Sequence, residues 1–165
     1  MIVRRINWWS VSDWGWRLAA LFTLVGLGVS TYLSVVEAMG TGPSCGVGGG
    51  CQTVAASVYS RLMGIPVAYI GVAGYSAMLI GVLAAIGIQP APVRLQIIVL
   101  AAAAAGFLFS VYLTAVQAFF IGAFCVYCIT SALAMTGILL AVSSAIAADW
   151  AASREELPEE EYAEV

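Results

Sequence analysis

Histidine and lysine are both missing from this chain of 165 residues, and only 9% of its residues carry charge. Without histidine there is no imidazole-ligated haem, no histidine-containing zinc site and no histidine-based catalytic triad. Without lysine there is no Schiff-base chemistry. A soluble domain carries about 25% charged residues, and here 62% of the chain is hydrophobic. That excludes a soluble globular domain, a disordered chain and a nucleic-acid-binding protein. The formal charge of −3 is no steering signal, because most of it sits in Glu155, Glu156, Glu159, Glu160, Glu161 and Glu164 near the end of the chain. Four cysteines remain as the reactive groups.

Crossing a bilayer as a helix takes roughly 20 apolar residues. Four stretches qualify, at residues 18–36, 65–88, 95–121 and 125–148. The connectors at 89–94 and 119–124 are short, so neighbouring helices are antiparallel. The pattern predicts an all-α integral membrane protein, a four-helix bundle running up-down-up-down. Residues 1–16 form an interfacial N-terminus, 17–148 the bundle, and 149–165 an acidic tail that is solvated at the end of the chain.

Arginine placement gives the orientation, because cytoplasmic flanks are enriched in basic residues. Arg4, Arg5, Arg17, Arg94 and Arg154 fall on one side of this topology and Arg61 alone on the other. Both termini are expected in the cytoplasm of a plasma (inner) membrane. Trp8, Trp9, Trp14, Trp16 and Trp150 group at that same side as an interfacial belt. Arg4 and Arg5, with Ala38-Met39-Gly40, loosely resemble a signal peptide, but the uncharged run at 18–36 exceeds the usual h-region of about 7–15 residues. The first span is expected to stay. Gly42-Pro43-Ser44 before Cys45 is a poor lipidation box.

The segment between spans one and two is too long for a simple turn. Val54, Val58 and Leu62 recur at four-residue spacing, which predicts a short amphipathic half-helix over 53–63, lying in the outer interface and ended by Gly64 and Pro66. Such an element either covers the bundle or lids a cavity.

All four cysteines fall at the outer face. Cys45 and Cys51 flank a five-residue stretch containing four glycines, a tether with little conformational preference. Cys125-Val-Tyr-Cys128 opens the fourth helix, where unpaired N–H groups favour a thiolate. Three readings stay open on the residues alone: two static disulfides, a four-cysteine zinc site, or a thiol–disulfide relay. A relay needs an electron acceptor. No flavin fingerprint or nucleotide loop is visible, so a lipid-soluble quinone fits a pair that faces the bundle interior.

The four spans, the C-x5-C loop, Ser57 six positions after Cys51, Gly64-Ile65-Pro66 leading into span two, and Cys125-x-x-Cys128 together resemble the bacterial vitamin K epoxide reductase homologues, over residues 17–148. The resemblance implies that Cys45 and Cys51 take electrons from a thiol partner and that Cys51 passes them to Cys125. It also implies that Cys128 faces a quinone of the menaquinone, ubiquinone or phylloquinone type, with Ser57 near a quinone carbonyl and no metal. Many bacterial members carry a fused thioredoxin-like domain. Here the chain ends soon after the last span, so a separate thioredoxin-like or DsbA-like partner is expected. Counting from the cysteines, Ile80 and Ala132 stand where vertebrate members place an asparagine and a tyrosine, which leaves epoxide reduction unsupported. The alternatives are a DsbB-type quinone reductase, whose C-x-x-C lies in the first outer loop, and a disulfide-stapled structural membrane protein. A channel or transporter is weaker still, since no expected span carries a charge.

Overall fold

The computed structural model describes residues 8–45, 50–88 and 90–155. Arg4, Arg5, the glycine tether at 46–49 and the tail glutamates after Glu155 lie outside the described residues. Four long helices dominate: α1 (Trp8–Ala38), α3 (Val67–Gly87), α4 (Val93–Val116) and α5 (Val126–Glu155). A seven-residue helix α2 (Gly50–Ala56) and a small β-hairpin, β1 (Arg61–Leu62) with β2 (Ile65–Pro66), lie between α1 and α3. All four long helices are long and apolar enough to cross a membrane. Their outward residues are large and apolar, as at Leu21, Ile80, Ile97 and Leu133, which suits lipid contact.

Small residues set the packing register, as close helix approach in a membrane requires. Gly15 lies against Ala145 and Gly137 against Phe22, so α1 and α5 run antiparallel. Gly71 meets Ser30, and Gly26 faces the Tyr75 ring, so α1 and α3 do too. Gly81 meets Val99, and Gly106 meets Met135. These contacts order the helices α1–α3–α4–α5 around the bundle. The core runs through Trp16, Ala19, Met78, Val82, Ile138 and Val142. Hydroxyls inside α1 return their protons to the helix itself: Thr23 Oγ1 donates to the Ala19 carbonyl at 2.7 Å and Ser30 Oγ to that of Gly26 at 2.9 Å. Neither of these two hydroxyls is then left bare in an apolar setting.

Three expectations change. The half-helix is shorter and earlier than residues 53–63. It stops at Ala56 because Ser57 is extended (φ −72°, ψ 155°), and its hydroxyl donates to the Val54 carbonyl at 2.7 Å, a local bond that competes with helix continuation. Met63 and Gly64 then both take positive φ (52° and 87°). Two such residues make the tight turn of a two-residue hairpin, pairing Arg61 with Pro66 and Leu62 with Ile65. Val54, Val58 and Leu62 therefore share no face, and Val58 is 83% exposed. Second, Trp16 is fully buried in the core rather than part of an aromatic belt, whereas Trp14 is exposed. Third, α5 continues past residue 148 and carries Asp149 into the bundle, 3% exposed.

One oxygen of that carboxylate is held by Gln96. Gln96 Nε2 donates to Asp149 Oδ2 at 2.9 Å and to the Ala91 carbonyl at 3.0 Å, while Trp150 Nε1 donates to Gln96 Oε1 at 3.2 Å. This polar clasp ties the start of α4 to the end of α5. Replacing Gln96 by Leu leaves a buried acceptor unmet and is expected to cost about 1–3 kcal/mol. Thermal unfolding in detergent would show this as a lowered Tm. The double variant Gln96→Leu/Asp149→Leu is expected to recover most of the loss, and failure to recover would mean that the clasp is not what Gln96 contributes.

Candidate active site

The turn between α4 and α5 builds the C-x-x-C motif. After Val116 the helix widens into a π-helical turn (Gln117–Ile121), closed by Gly122 in the left-handed region (φ 68°) with its N–H on the Gln117 carbonyl at 2.9 Å. The chain then reverses. The Ile129 N–H donates to the Cys125 carbonyl at 3.0 Å, which makes Cys125 the N-cap of α5. A serine or threonine usually fills that role. Gln117 completes the cap from the preceding helix, since its Oε1 accepts the Cys125 N–H at 2.9 Å. Gln117 thus meets, from outside the helix, the N-cap N–H that the glutamate or glutamine of a capping box meets from within it. The unpaired N–H groups of a helix N-terminus favour negative charge on a sulfur placed there. Cys125 is buried and Cys128 half-buried, both as free thiols.

The other pair is joined: Cys45 and Cys51 form a disulfide with Cα atoms 5.8 Å apart. In this state the Cys45 and Cys51 sulfurs are bonded to each other rather than free as thiolates. Two contacts press this loop onto the start of α5. Tyr127, inside the C-x-x-C, donates its hydroxyl to the Ser44 carbonyl at 3.0 Å, and its ring packs on Tyr32 with centroids 4.9 Å apart. At the other end of the loop, a Cβ on Gly50 would lie 2.5 Å from the Phe124 carbonyl oxygen. Only glycine lets α2 come that close, and this contact seats Cys51 beside the residue preceding Cys125.

The three cysteines Cys51, Cys125 and Cys128 line one cavity of about 650 Å³, whereas Cys45 is not among its walls. The cavity runs along α3 and α4. Its α4 wall reaches from residue 95 to 117, and residues 95 to 113 alone span roughly 27 Å at 1.5 Å per residue. Exposed residues of the same walls, such as Gly74, Ala77, Ile98 and Ala102, open it sideways toward the surrounding lipid.

Ser57 also lines the cavity. Its proton is committed to the Val54 carbonyl, so it meets a ligand as an acceptor unless that bond breaks. Ile80 is 70% exposed on the opposite side of α3, and neither it nor Ala132 lines the cavity. The polar pair that does is Tyr75 with Ser131. The Tyr75 hydroxyl lies 2.8 Å from Ser131 Oγ and donates to the Ser131 carbonyl at 2.9 Å. Counting from the cysteines missed both, and it missed the roles of Gln117 and Tyr127. The available signal was the rarity of polar side chains within apolar spans, which marks them as functional candidates.

Gly50→Ala is expected to push α2 off the Phe124 carbonyl and separate Cys51 from Cys125. In a background lacking Cys45 and Cys128, mild oxidation should cross-link Cys51 to Cys125 in high yield. Adding Gly50→Ala should cut that yield severalfold on a reducing/non-reducing gel, and an unchanged yield would mean that the close approach does not govern the pairing.

The model of the Vitamin K epoxide reductase family matches residues 17–143, more than three-quarters of the chain. A comparison with curated proteins finds no significant match. A helical membrane bundle with a loop disulfide, a dithiol capping its last helix and a cavity shared by both pairs is in keeping with that match. The chain belongs to the Vitamin K epoxide reductase family and is a membrane thiol–disulfide oxidoreductase.

Proposed function

We propose that the protein passes two electrons from a separate thioredoxin-like or DsbA-like dithiol protein to a membrane quinone, and so drives disulfide formation outside the cytoplasm. The observation that carries this reading is that Cys51, Cys125 and Cys128 share one apolar cavity while Cys45 stands outside it. A thiolate of the partner attacks the Cys45–Cys51 disulfide. The partner's second thiol resolves the mixed disulfide, leaving the partner oxidised and both loop cysteines reduced. The Cys51 thiolate then attacks Cys125 of a Cys125–Cys128 disulfide, and Cys128 leaves as a thiolate. Attack by Cys45 on Cys51 releases Cys125. The loop disulfide is restored and the C-x-x-C holds two thiols, which is the combination seen here.

A quinone supplies the terminal two-electron acceptor: the Cys125 and Cys128 thiols give up two electrons and two protons and close their disulfide. The residues fit such a ligand. Cys128 would face the ring, with Ser57, Tyr75 and Ser131 supplying polar atoms to its oxygens. The long lipid-open groove between α3 and α4 suits a prenyl tail, so a prenylated quinone of the menaquinone, ubiquinone or phylloquinone type is the favoured class. Leaving-group and thiolate character of the sulfurs govern the exchange steps, and the capped N-terminus of α5 favours Cys125 as a leaving group.

Orientation follows the arginines. Arg17, Arg94 and Arg154 flank the bundle end opposite the cysteines and Arg61 stands at the cysteine end, which supports cytoplasmic termini and extracytoplasmic cysteines in the plasma membrane.

Anaerobic quinone reduction by the purified protein with a dithiol donor tests this reading. Wild type should consume quinone catalytically, and Cys128→Ala should abolish turnover while leaving the Tm unchanged. If the cysteines were only a staple, no quinone would turn over. Their loss would instead cost about 2–5 kcal/mol, as for native disulfides of small secreted domains.

A further inference from the structure

We propose that Tyr127 is a positioning residue for Cys45: by holding the Ser44 carbonyl, its hydroxyl keeps the Cys45 thiol where it can break a Cys51–Cys125 bond and restore the loop disulfide. This rests on the relay reading of the same four cysteines.

The residue before each loop cysteine touches the residue before one cysteine of the C-x-x-C. Gly50 precedes Cys51 and lies against the carbonyl of Phe124, which precedes Cys125. Ser44 precedes Cys45, and its carbonyl accepts the hydroxyl of Tyr127, which precedes Cys128, at 3.0 Å. The first contact brings Cys51 to Cys125. The second leaves Cys45 outside the cavity walls and holds its flank of the loop at the start of α5. Tyr127 is itself constrained. It stands in the first turn of a 30-residue helix, and its ring packs on Tyr32 of α1 with centroids 4.9 Å apart. A hydroxyl on a ring already fixed in this way loses little freedom on bonding. Because its partner is main chain, the bond restrains the path of the loop itself.

That restraint matters most when the loop disulfide is open. With the disulfide closed, Cys51 holds Cys45 covalently, their Cα atoms 5.8 Å apart. Once Cys51 is joined to Cys125 instead, the covalent hold is gone. Four of the five residues between the loop cysteines are glycine, which has no side chain with which to keep Cys45 in place. The Tyr127 bond remains to do so. The step it serves conserves electrons. The Cys45 thiolate attacks the Cys51 sulfur, the Cys45–Cys51 bond forms as the Cys51–Cys125 bond breaks, and Cys125 leaves as a thiolate that takes up the proton Cys45 lost. Holding the attacking group near its target raises its effective concentration. The two contacts therefore act in opposite directions: Gly50 favours Cys51–Cys125, and Tyr127 favours Cys45–Cys51.

The test uses the full chain carrying Cys128→Ser, in which one disulfide is shared among three sulfurs and no quinone is needed. Protein with one disulfide per chain is equilibrated anaerobically, acid-quenched, alkylated and mapped by mass spectrometry. The readout is the ratio of Cys45–Cys51 to Cys51–Cys125. Tyr127→Phe keeps the ring on Tyr32 but loses the hydroxyl, and should lower the ratio about fivefold, the worth of one typical net hydrogen bond. Tyr32→Leu frees the Tyr127 ring and should lower it as well, while Gly50→Ala should raise it. A general loosening of the loop would not give opposite shifts from its two flanks. An unchanged ratio in Tyr127→Phe, or a shift in the same direction as that of Gly50→Ala, would overturn the proposal and leave the relay standing. If Cys51–Cys125 forms in none of these proteins, the relay reading fails and this proposal falls with it.

Discussion

A helix that begins among apolar side chains has to satisfy its first N–H groups without water. At the start of α5 a carboxamide from the preceding helix meets one of them: Gln117 Oε1 accepts the Cys125 N–H at 2.9 Å. The rest of the cysteine end depends on that cap. It fixes where Cys125 and Cys128 sit, one helical turn apart on the cavity wall. It also holds Phe124 where its carbonyl meets Gly50, so the cap that starts α5 also determines how closely the loop disulfide can approach.

The same groups serve structure and chemistry. Cys125 stands at the N-cap, where the field of the helix's unpaired N–H groups favours the negative sulfur that thiol exchange needs. Tyr127 likewise sits between the two reactive cysteines and uses its hydroxyl to hold Ser44, next to Cys45. At the far end of the bundle the clasp of Gln96, Asp149 and Trp150 holds α4 to α5. Both ties join α4 to α5, and the cavity runs along α3 and α4 between the two ends of the bundle.

Much of this was legible in the residues. Apolar runs of spanning length, short connectors and the paired cysteine spacings give the four-helix membrane fold and the family, because hydrophobicity and spacing are one-dimensional signals. The half-helix was misplaced because a four-residue repeat at Val54, Val58 and Leu62 is cancelled by Ser57 bonding to its own backbone and by two positive-φ residues at Met63 and Gly64. Trp16 reads as an interfacial tryptophan, yet Gly15 beside it lets α1 and α5 close over the ring. Ile80 fails as a cavity residue because sequence offset ignores helical phase. Five positions earlier, Tyr75 lies on the other side of α3 and faces inward. Gln117 could be seen as a polar residue in a span, but its role depends on a π-turn that composition does not encode.

The most direct test of the account is a single turnover. The fully reduced protein is mixed anaerobically with one equivalent of a prenylated quinone, quenched with an alkylating agent at increasing times, and its disulfides are mapped by mass spectrometry. The account predicts that the Cys125–Cys128 disulfide forms first, at the rate at which quinone absorbance falls, and that the Cys45–Cys51 disulfide follows by exchange. Quinone consumption with Cys45–Cys51 closing first, while Cys125 and Cys128 remain alkylated, would contradict it.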